Sequence, residues 1–373
     1  MKKIFGLPVV AVGGLVLVTA VTRATERRPA PSAGHVIRIG AMSVDRAAHQ
    51  ATLLRDGRVL VTGGCAGNHC EQVLASAELY EPANRTFQQV APMGTARASH
   101  AAALLPDGRV LVAGGWTGNG PTASAEVYDP ATGRWTEVSD MTEPRVSLIA
   151  VPLRDGRVLM MGGGEGRLPD QGTSEVFDPA TDSFTLVESM RTNHYLATRM
   201  ADGRVLLTGG QGPDGAILRS AEIFDPGNGT FEATGNMLVP RVKHAAALLD
   251  DGRVLIIGGS DRRGFRDRFA STEIYDPVVG RFSAGPEMHR ARHKIRDAVV
   301  TLPSGAVVVA GGAVHPEIFE PTKKAFVAVE GELSGPQMFA TATRLATGDV
   351  LVLGGYDDRT QPSASAWLIT PGR

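Results

Sequence analysis

"DGRVLVTGG", residues 56–64, is the stretch on which the fold turns, because it does not occur once. It comes back as DGRVLVAGG (107–115), DGRVLMMGG (155–163), DGRVLLTGG (202–210) and DGRVLIIGG (251–259), then more loosely as SGAVVVAGG from Ser304 and TGDVLVLGG from Thr347. The closing Gly-Gly pairs are spaced 51, 48, 47, 49, 53 and 43 residues apart, the period of a propeller blade. Seven copies predict seven blades.

Each unit reads as four strands. In the second, SHAAALL (Ser99–Leu105) is a run of small residues suited to the crowded centre of a disc, and the turn PDG leads into RVLVAGG, apolar on both faces and so buried on both. After a loop comes SAEVYDP (Ser124–Pro130), whose Asp-Pro opens a turn, and then the alternating outer strand GRWTEV (Gly133–Val138). One aromatic marks that outer strand in unit after unit, as Phe87, Trp135, Phe184, Phe231, Phe282 and Phe326. The seventh unit lacks an outer strand, whereas HVIRIGAM (His35–Met42) precedes the first inner strand and resembles one. Lending it to the last blade closes the ring and removes two open sheet edges.

The bulk numbers agree with an all-β chain. It has 373 residues, with 45 Gly, 23 Pro and few aromatics, which favours many turns over long helices. A net charge of -1 argues against a general nucleic-acid binder. At the N-terminus, Lys2 and Lys3 precede an apolar run from Ile4 to Val18, and Val18-Thr19-Ala20 fits a small-residue cleavage site. The expected organisation is a signal peptide or uncleaved anchor over 1–24, a linker over 25–34 and the propeller over 35–373. Export to the periplasm or the cell exterior follows, as a monomer, with membrane attachment only if the N-terminal segment is retained. Cys65 and Cys70, the only cysteines, are then expected to form a local disulfide rather than a metal site.

The repeat resembles the kelch family, whose hallmarks are the Gly-Gly after the second strand, the aromatic of AEVYDP and the aromatic of the outer strand. The resemblance implies a propeller over residues 35–373 but not an activity, since kelch propellers include enzymes and binding modules. Galactose oxidase is the best-known seven-bladed enzyme of that family, and a resemblance to it would imply a copper site built on a Cys-crosslinked Tyr. The corresponding segments RAAHQATLL and RASHAAALL contain neither Cys nor Tyr. Only Trp116, after the second Gly-Gly, is similar to a stacking Trp of that family. No cofactor and no metal are therefore expected. Sialic-acid mutarotase-like kelch proteins offer a second enzyme reading, with Glu165, Asp170, Asp261 or Asp267 as candidate acids, although they resemble a six-bladed ring.

Strand order sorts the loops. Connections from outer to inner strand and from second to third strand share one face, which carries every variable insertion; the other face repeats DGR and DPATG-like turns. Specificity is expected on the first, the loop face. There Arg46, Arg97, Arg145 and Arg241 recur four residues after a Met, as does Arg292, with His194 in that place in the fourth unit, and His49, His100 and His244 follow. Two readings stand: a channel rim of cations that grips an anion, or internal bonds to a neighbouring blade, for example to Glu78, Glu126 or Glu222. Two aperiodic loops add a basic patch. SDRRGFRDRFA carries Arg262, Arg263, Phe265, Arg266 and Arg268, and HRARHKIRD carries Arg290, Arg292, Lys294 and Arg296, a joint excess of five positive charges. The functional expectation is a binding or scaffold module that presents these residues and Trp116 to a protein or an acidic carbohydrate. No catalytic residue is assigned.

Overall fold

The computed structural model describes residues 33–162, 173–187, 190, 196–212, 214–261 and 268–372. These form seven four-stranded antiparallel sheets arranged as the blades of a propeller. Blade 2 is representative: Ala101–Leu104 lies innermost, followed outwards by Val110–Ala113, Ala125–Asp129 and Arg134–Glu137. The proposed N-terminal segment falls outside the described residues.

The nine-residue phrase now has a physical explanation at each position. Its Asp closes the turn between the first two strands: the Asp56 carboxylate accepts the Arg58 backbone N–H at 3.0 Å and its Nε–H at 2.9 Å. The Gly beside it, Gly57, takes φ 89°, a conformation that side chains disfavour. The Val-Leu-Val-Thr run is the second strand, Val59–Thr62, fully buried because blades pack against both of its faces. The closing glycines stand where no Cβ fits. One built on Gly63 would lie 2.3 Å from the Arg97 carbonyl oxygen, and one on Gly64 2.7 Å from that of Ala47.

The cores lie between blades rather than within them. Leu111, Val127 and Met141 of the second repeat pack with Met160 and Phe177 of the third. On the rim, the third-strand and outer-strand aromatics meet in pairs, from Tyr80 with Phe87 to Phe319 with Phe326, with ring centroids 4.8–5.4 Å apart and tilted planes. This is the preferred geometry for aromatic pairs.

Ring closure uses the N-terminal strand β1 (Gly34–Arg46), which pairs antiparallel with the C-terminal strand Ser363–Pro371 and is the outer strand of blade 7. It is longer than the expected His35–Met42 and runs on, with two register shifts, to Arg46 at the entry to blade 1. It also touches the end of blade 6, where Val36 N–H donates to Glu330 O at 2.8 Å. Met42 then joins Leu351 and Leu368 of blade 7 to Val59 and Tyr80 of blade 1 in one buried cluster.

Candidate functional site on the loop face

The recurrent arginines are internal. Arg46, Arg97, Arg145, Arg241 and Arg292 are all fully buried. Each pairs with a glutamate on the third strand of the blade it leads into: Glu78 at 2.6 Å, Glu126 at 2.8 Å, Glu175 at 3.3 Å, Glu273 at 3.0 Å and Glu317 at 2.8 Å. The partner is thus in the residue's own blade, not the neighbouring one. The backbone supplies the inter-blade link. Arg97 Nη1 donates to Gly114 O of its own blade at 2.8 Å, while Arg97 O accepts the Gly64 N–H of the preceding blade at 2.9 Å. The same device holds Gly63–Gly64, Gly114–Gly115 and Gly258–Gly259 from both sides.

Burial lowers the pKa of Arg46, Arg97, Arg241 and Arg292, and the paired carboxylates offset part of that shift. Burial alone would raise the Glu317 carboxyl, but the Arg292 charge and hydrogen bonds from Arg292 and His289 bring it below its ordinary value. Blade 7 has no such pair: Gln337 stands in the arginine position, and Trp367, opposite Val352 as Glu78 is opposite Val61, stands in the glutamate position.

The histidines are equally committed. The Nε2 atoms of His49, His100 and His244 lie 3.0, 2.9 and 2.9 Å from the hydroxyls of Thr341, Thr62 and Thr208, each on the preceding blade. Burial, with the nearby Arg46 charge, pushes His49 down to about 3, and burial and Arg97 also push His100 well down. His49 and His100 are neutral struts. The expected rim of cations is therefore not presented to solvent at these positions. His194 lies outside the described residues.

Two residues beyond each of these arginines, and beyond Gln337 in blade 7, the chain adopts the left-handed conformation, at Ala48, Ser99, Ser147, Lys243, Lys294 and Phe339. Their backbones are joined head to tail around the channel: Ser147 N–H donates to Ser99 O, Ser99 to Ala48, Ala48 to Phe339, Phe339 to Lys294 and Lys294 to Lys243, at 2.7–3.1 Å. On this collar blades 5 and 6 contribute lysines where blades 1 to 3 contribute Ala or Ser.

The entry to blade 6 is longer than the others. Arg46, Arg97, Arg145 and Arg241 stand four residues ahead of their innermost strands, but Arg292 stands seven ahead of Val299. The extra residues place Arg296 inside the channel, where its Nη1 donates to Ser147 O of blade 3 at 3.0 Å and its Nε lies 3.4 Å from Asp297. Both border a cavity of about 420 Å³, lined otherwise by residues of the inner strands of blades 3 to 5 such as Ile149, Ala150, Leu196, Ala197, Arg199 and Ala246. The Arg296–Asp297 juxtaposition is not visible as a motif; the spacing of Arg292 from its strand was its only trace.

The expected basic patch is divided by the structure. Arg292 is buried in its ion pair, which removes it from the ligand-binding set. Arg268 pairs with Asp358 of blade 7, and Arg296 occupies the channel. Arg290 is exposed, and so is Trp116 on blade 2. Arg262, Arg263, Phe265 and Arg266 lie outside the described residues, as do Glu165, Asp170 and Asp267; Asp261 is exposed. Cys65 and Cys70 form a disulfide, with Cα atoms 4.9 Å apart, that closes a loop on this face.

Comparison with known proteins bears on the scaffold. The Kelch motif matches residues 47–94, 97–142 and 241–289. No curated protein matches the chain in sequence. A solved structure of a fungal alcohol oxidase of the AA5 family, in complex with copper, superposes with a TM-score of 0.71 and 18% identity, covering 91% of this chain and 76% of that one. That is a likeness of fold. The residues here do not fit copper: among the described residues no three His, Cys, Asp or Glu side chains converge, both cysteines are in the disulfide, and the inner histidines bond to threonines on separate blades. The chain is a seven-bladed β-propeller that carries Kelch motifs over residues 47–94, 97–142 and 241–289 and shares its fold with that oxidase.

Proposed function

We propose that the protein is an exported binding module whose loop face engages an acidic carbohydrate or a protein. The observation that supports this most is the division of labour among cations. Those that recur in blades 1, 2, 3, 5 and 6 are sealed in buried ion pairs, whereas the aperiodic ones gather at blades 5 and 6 on the variable face, where Arg290 is exposed and Arg268, Lys243 and Lys294 lie close to one another around His293. A rigid frame with one variable, locally basic face suits recognition of an anion.

The test is a glycan array carrying acidic and neutral sugars, followed by affinity for the best ligand at low and physiological salt. Acidic ligands should be retained, and Arg290→Glu should weaken them most at low salt, where screening is least. Salt-independent binding, or selection of neutral sugars only, overturns the reading. Mass spectrometry of the mature N-terminus tests export.

A second reading, a carbohydrate enzyme that works in the channel, is favoured by Arg296 and Asp297 at the cavity. An anchoring cation beside a carboxylate is the minimum for acid–base work on a sugar acid. Sugar turnover abolished by Asp297→Asn would support it, and turnover unchanged in that variant would refute it.

A further inference from the structure

Blade 6 breaks the pattern of the loop face in a way neither the repeat nor the family resemblance explains. Between Gly312 and Glu317 its second and third strands are joined by only Ala313, Val314, His315 and Pro316. The corresponding connections of blades 5 and 7 are longer, and they meet above the gap: Arg268 from blade 5 pairs with Asp358 from blade 7. A carboxylate of the chain itself is thereby drawn across blade 6 to a cation on the far side.

Beside this pair lies His293. The equivalent residue is apolar elsewhere, as buried Ala47, Ala98, Val242 and Met338 in blades 1, 2, 5 and 7 and half-buried Val146 in blade 3. His293 is buried too, only 1% exposed, yet neither of its ring nitrogens has a hydrogen-bond partner. An imidazole has one N–H to donate and one lone pair to share, and native interiors rarely leave both unused. The surroundings are cationic. Burial, then the charges of Lys294, Arg268 and Lys243, push the His293 pKa down to about 3. Lys294 is held in place: its Nζ donates to Tyr356 Oη at 2.6 Å and lies 5.4 Å from the Phe339 ring centroid. A second orphan stands on the next blade, where Gln337 Oε1 is buried without a partner, and the main-chain oxygens of His293 and Gln337 both border the glycine pair Gly311–Gly312.

We infer that the seam of blades 5, 6 and 7 on the loop face is a carboxylate-binding site, in which His293 donates a ring N–H to the ligand while Lys243, Lys294 and Arg268 supply the opposing charge. Asp358 is the internal competitor for that charge. Its pair with Arg268 is largely exposed on the Asp358 side, so it is weak enough for a ligand to displace. The inference rests on the loop-face binding reading and narrows it to one seam and one chemical group.

The experiment uses the full chain with ¹⁵N-labelled histidine and two probes, D-glucuronate and its neutral counterpart D-glucose. Glucuronate should shift the His293 ring resonances and raise the pH at which that ring protonates; glucose should do neither. Calorimetry should show glucuronate affinity falling at least tenfold in His293→Phe and in Lys294→Met, and rising several-fold in Asp358→Asn. Other blades carry apolar residues at this position, so His293→Phe should fold; if it does not, Lys294→Met and Asp358→Asn carry the test with opposite expected signs. Glucuronate binding that leaves His293 unperturbed and is unaltered by all three substitutions overturns this site while leaving the loop-face reading intact. No response of wild type or Asp358→Asn to glucuronate also overturns it. The loop-face reading itself fails by its own test, if the array retains no acidic ligand or binding is independent of salt.

Discussion

Glu126 shows what a single residue does in this ring. Its carboxylate takes Arg97 at 2.8 Å and also the backbone N–H groups of Gly94 and Thr95 at 2.6 and 3.1 Å, so it fixes both the side chain and the path of the inter-blade connection. Removing one partner of such a buried pair leaves the other without compensation. Arg97→Met should therefore cost about 3–5 kcal/mol, and Arg97→Met/Glu126→Gln should recover part of that loss. Urea denaturation of the four members of the cycle checks it; equal losses in single and double variants would contradict the pairing. Blade 7, with Gln337 and Trp367, manages without the ion pair, which fits the view that the pair sets geometry more than net stability. Gly64→Ala is a sharper lesion. The new methyl would meet Ala47 O at 2.7 Å with φ at 96°, and a loss of about 1–3 kcal/mol is expected from the same assay.

At the scale of elements, β1 is the one strand whose partner lies at the other end of the chain. Deleting residues 35–41 would strip the outer edge from blade 7 and remove the links to Glu330, exposing sheet edges to other copies. The truncated protein should melt at lower temperature and aggregate, as read by scanning calorimetry and size-exclusion chromatography; an unchanged melt would refute the role of the strand. The Cys65–Cys70 crosslink is a smaller device. It closes a loop of a few residues, and Cys70→Ser should cost about 2 kcal/mol, measured by denaturation alongside non-reducing intact mass.

Across the whole molecule the buried imidazoles make stability depend on pH. His49 and His293 have pKa values near 3 in the fold, against about 6.5 in an unfolded chain. Between those values the unfolded chain binds protons that the native protein refuses. Their contribution is thus complete above pH about 6.5 and declines as pH falls toward 3, by up to about 1.4 kcal/mol per pH unit for each histidine. His100 acts in the same direction, and the lowered Glu317 carboxyl adds to the loss below its unfolded value of about 4.3. Urea midpoints at pH 7, 5.5 and 4.5 should fall steadily, and His49→Gln should flatten the slope. A midpoint that does not change over this range would mean that the histidines titrate freely.

What the repeated phrase determined by itself was the scaffold: seven blades, the buried second strand, the turn glycines and the borrowed outer strand. Local chemistry carries such information, because a DG turn, a doubly buried apolar run and a Gly-Gly without room for Cβ impose themselves wherever they occur. The fate of the charges was settled only in three dimensions. Arg46 and Arg290 are both arginines on the same face in sequence, yet one is sealed against Glu78 and the other meets solvent. Periodicity hinted at the difference, since a residue repeated in each blade meets the same partner in each. The unpaired ring of His293 and the arginine in the channel left no periodic trace. They arise where blade 6 shortens one loop and lengthens another, and their surroundings come from residues on blades 3, 5 and 7 that are distant in the chain.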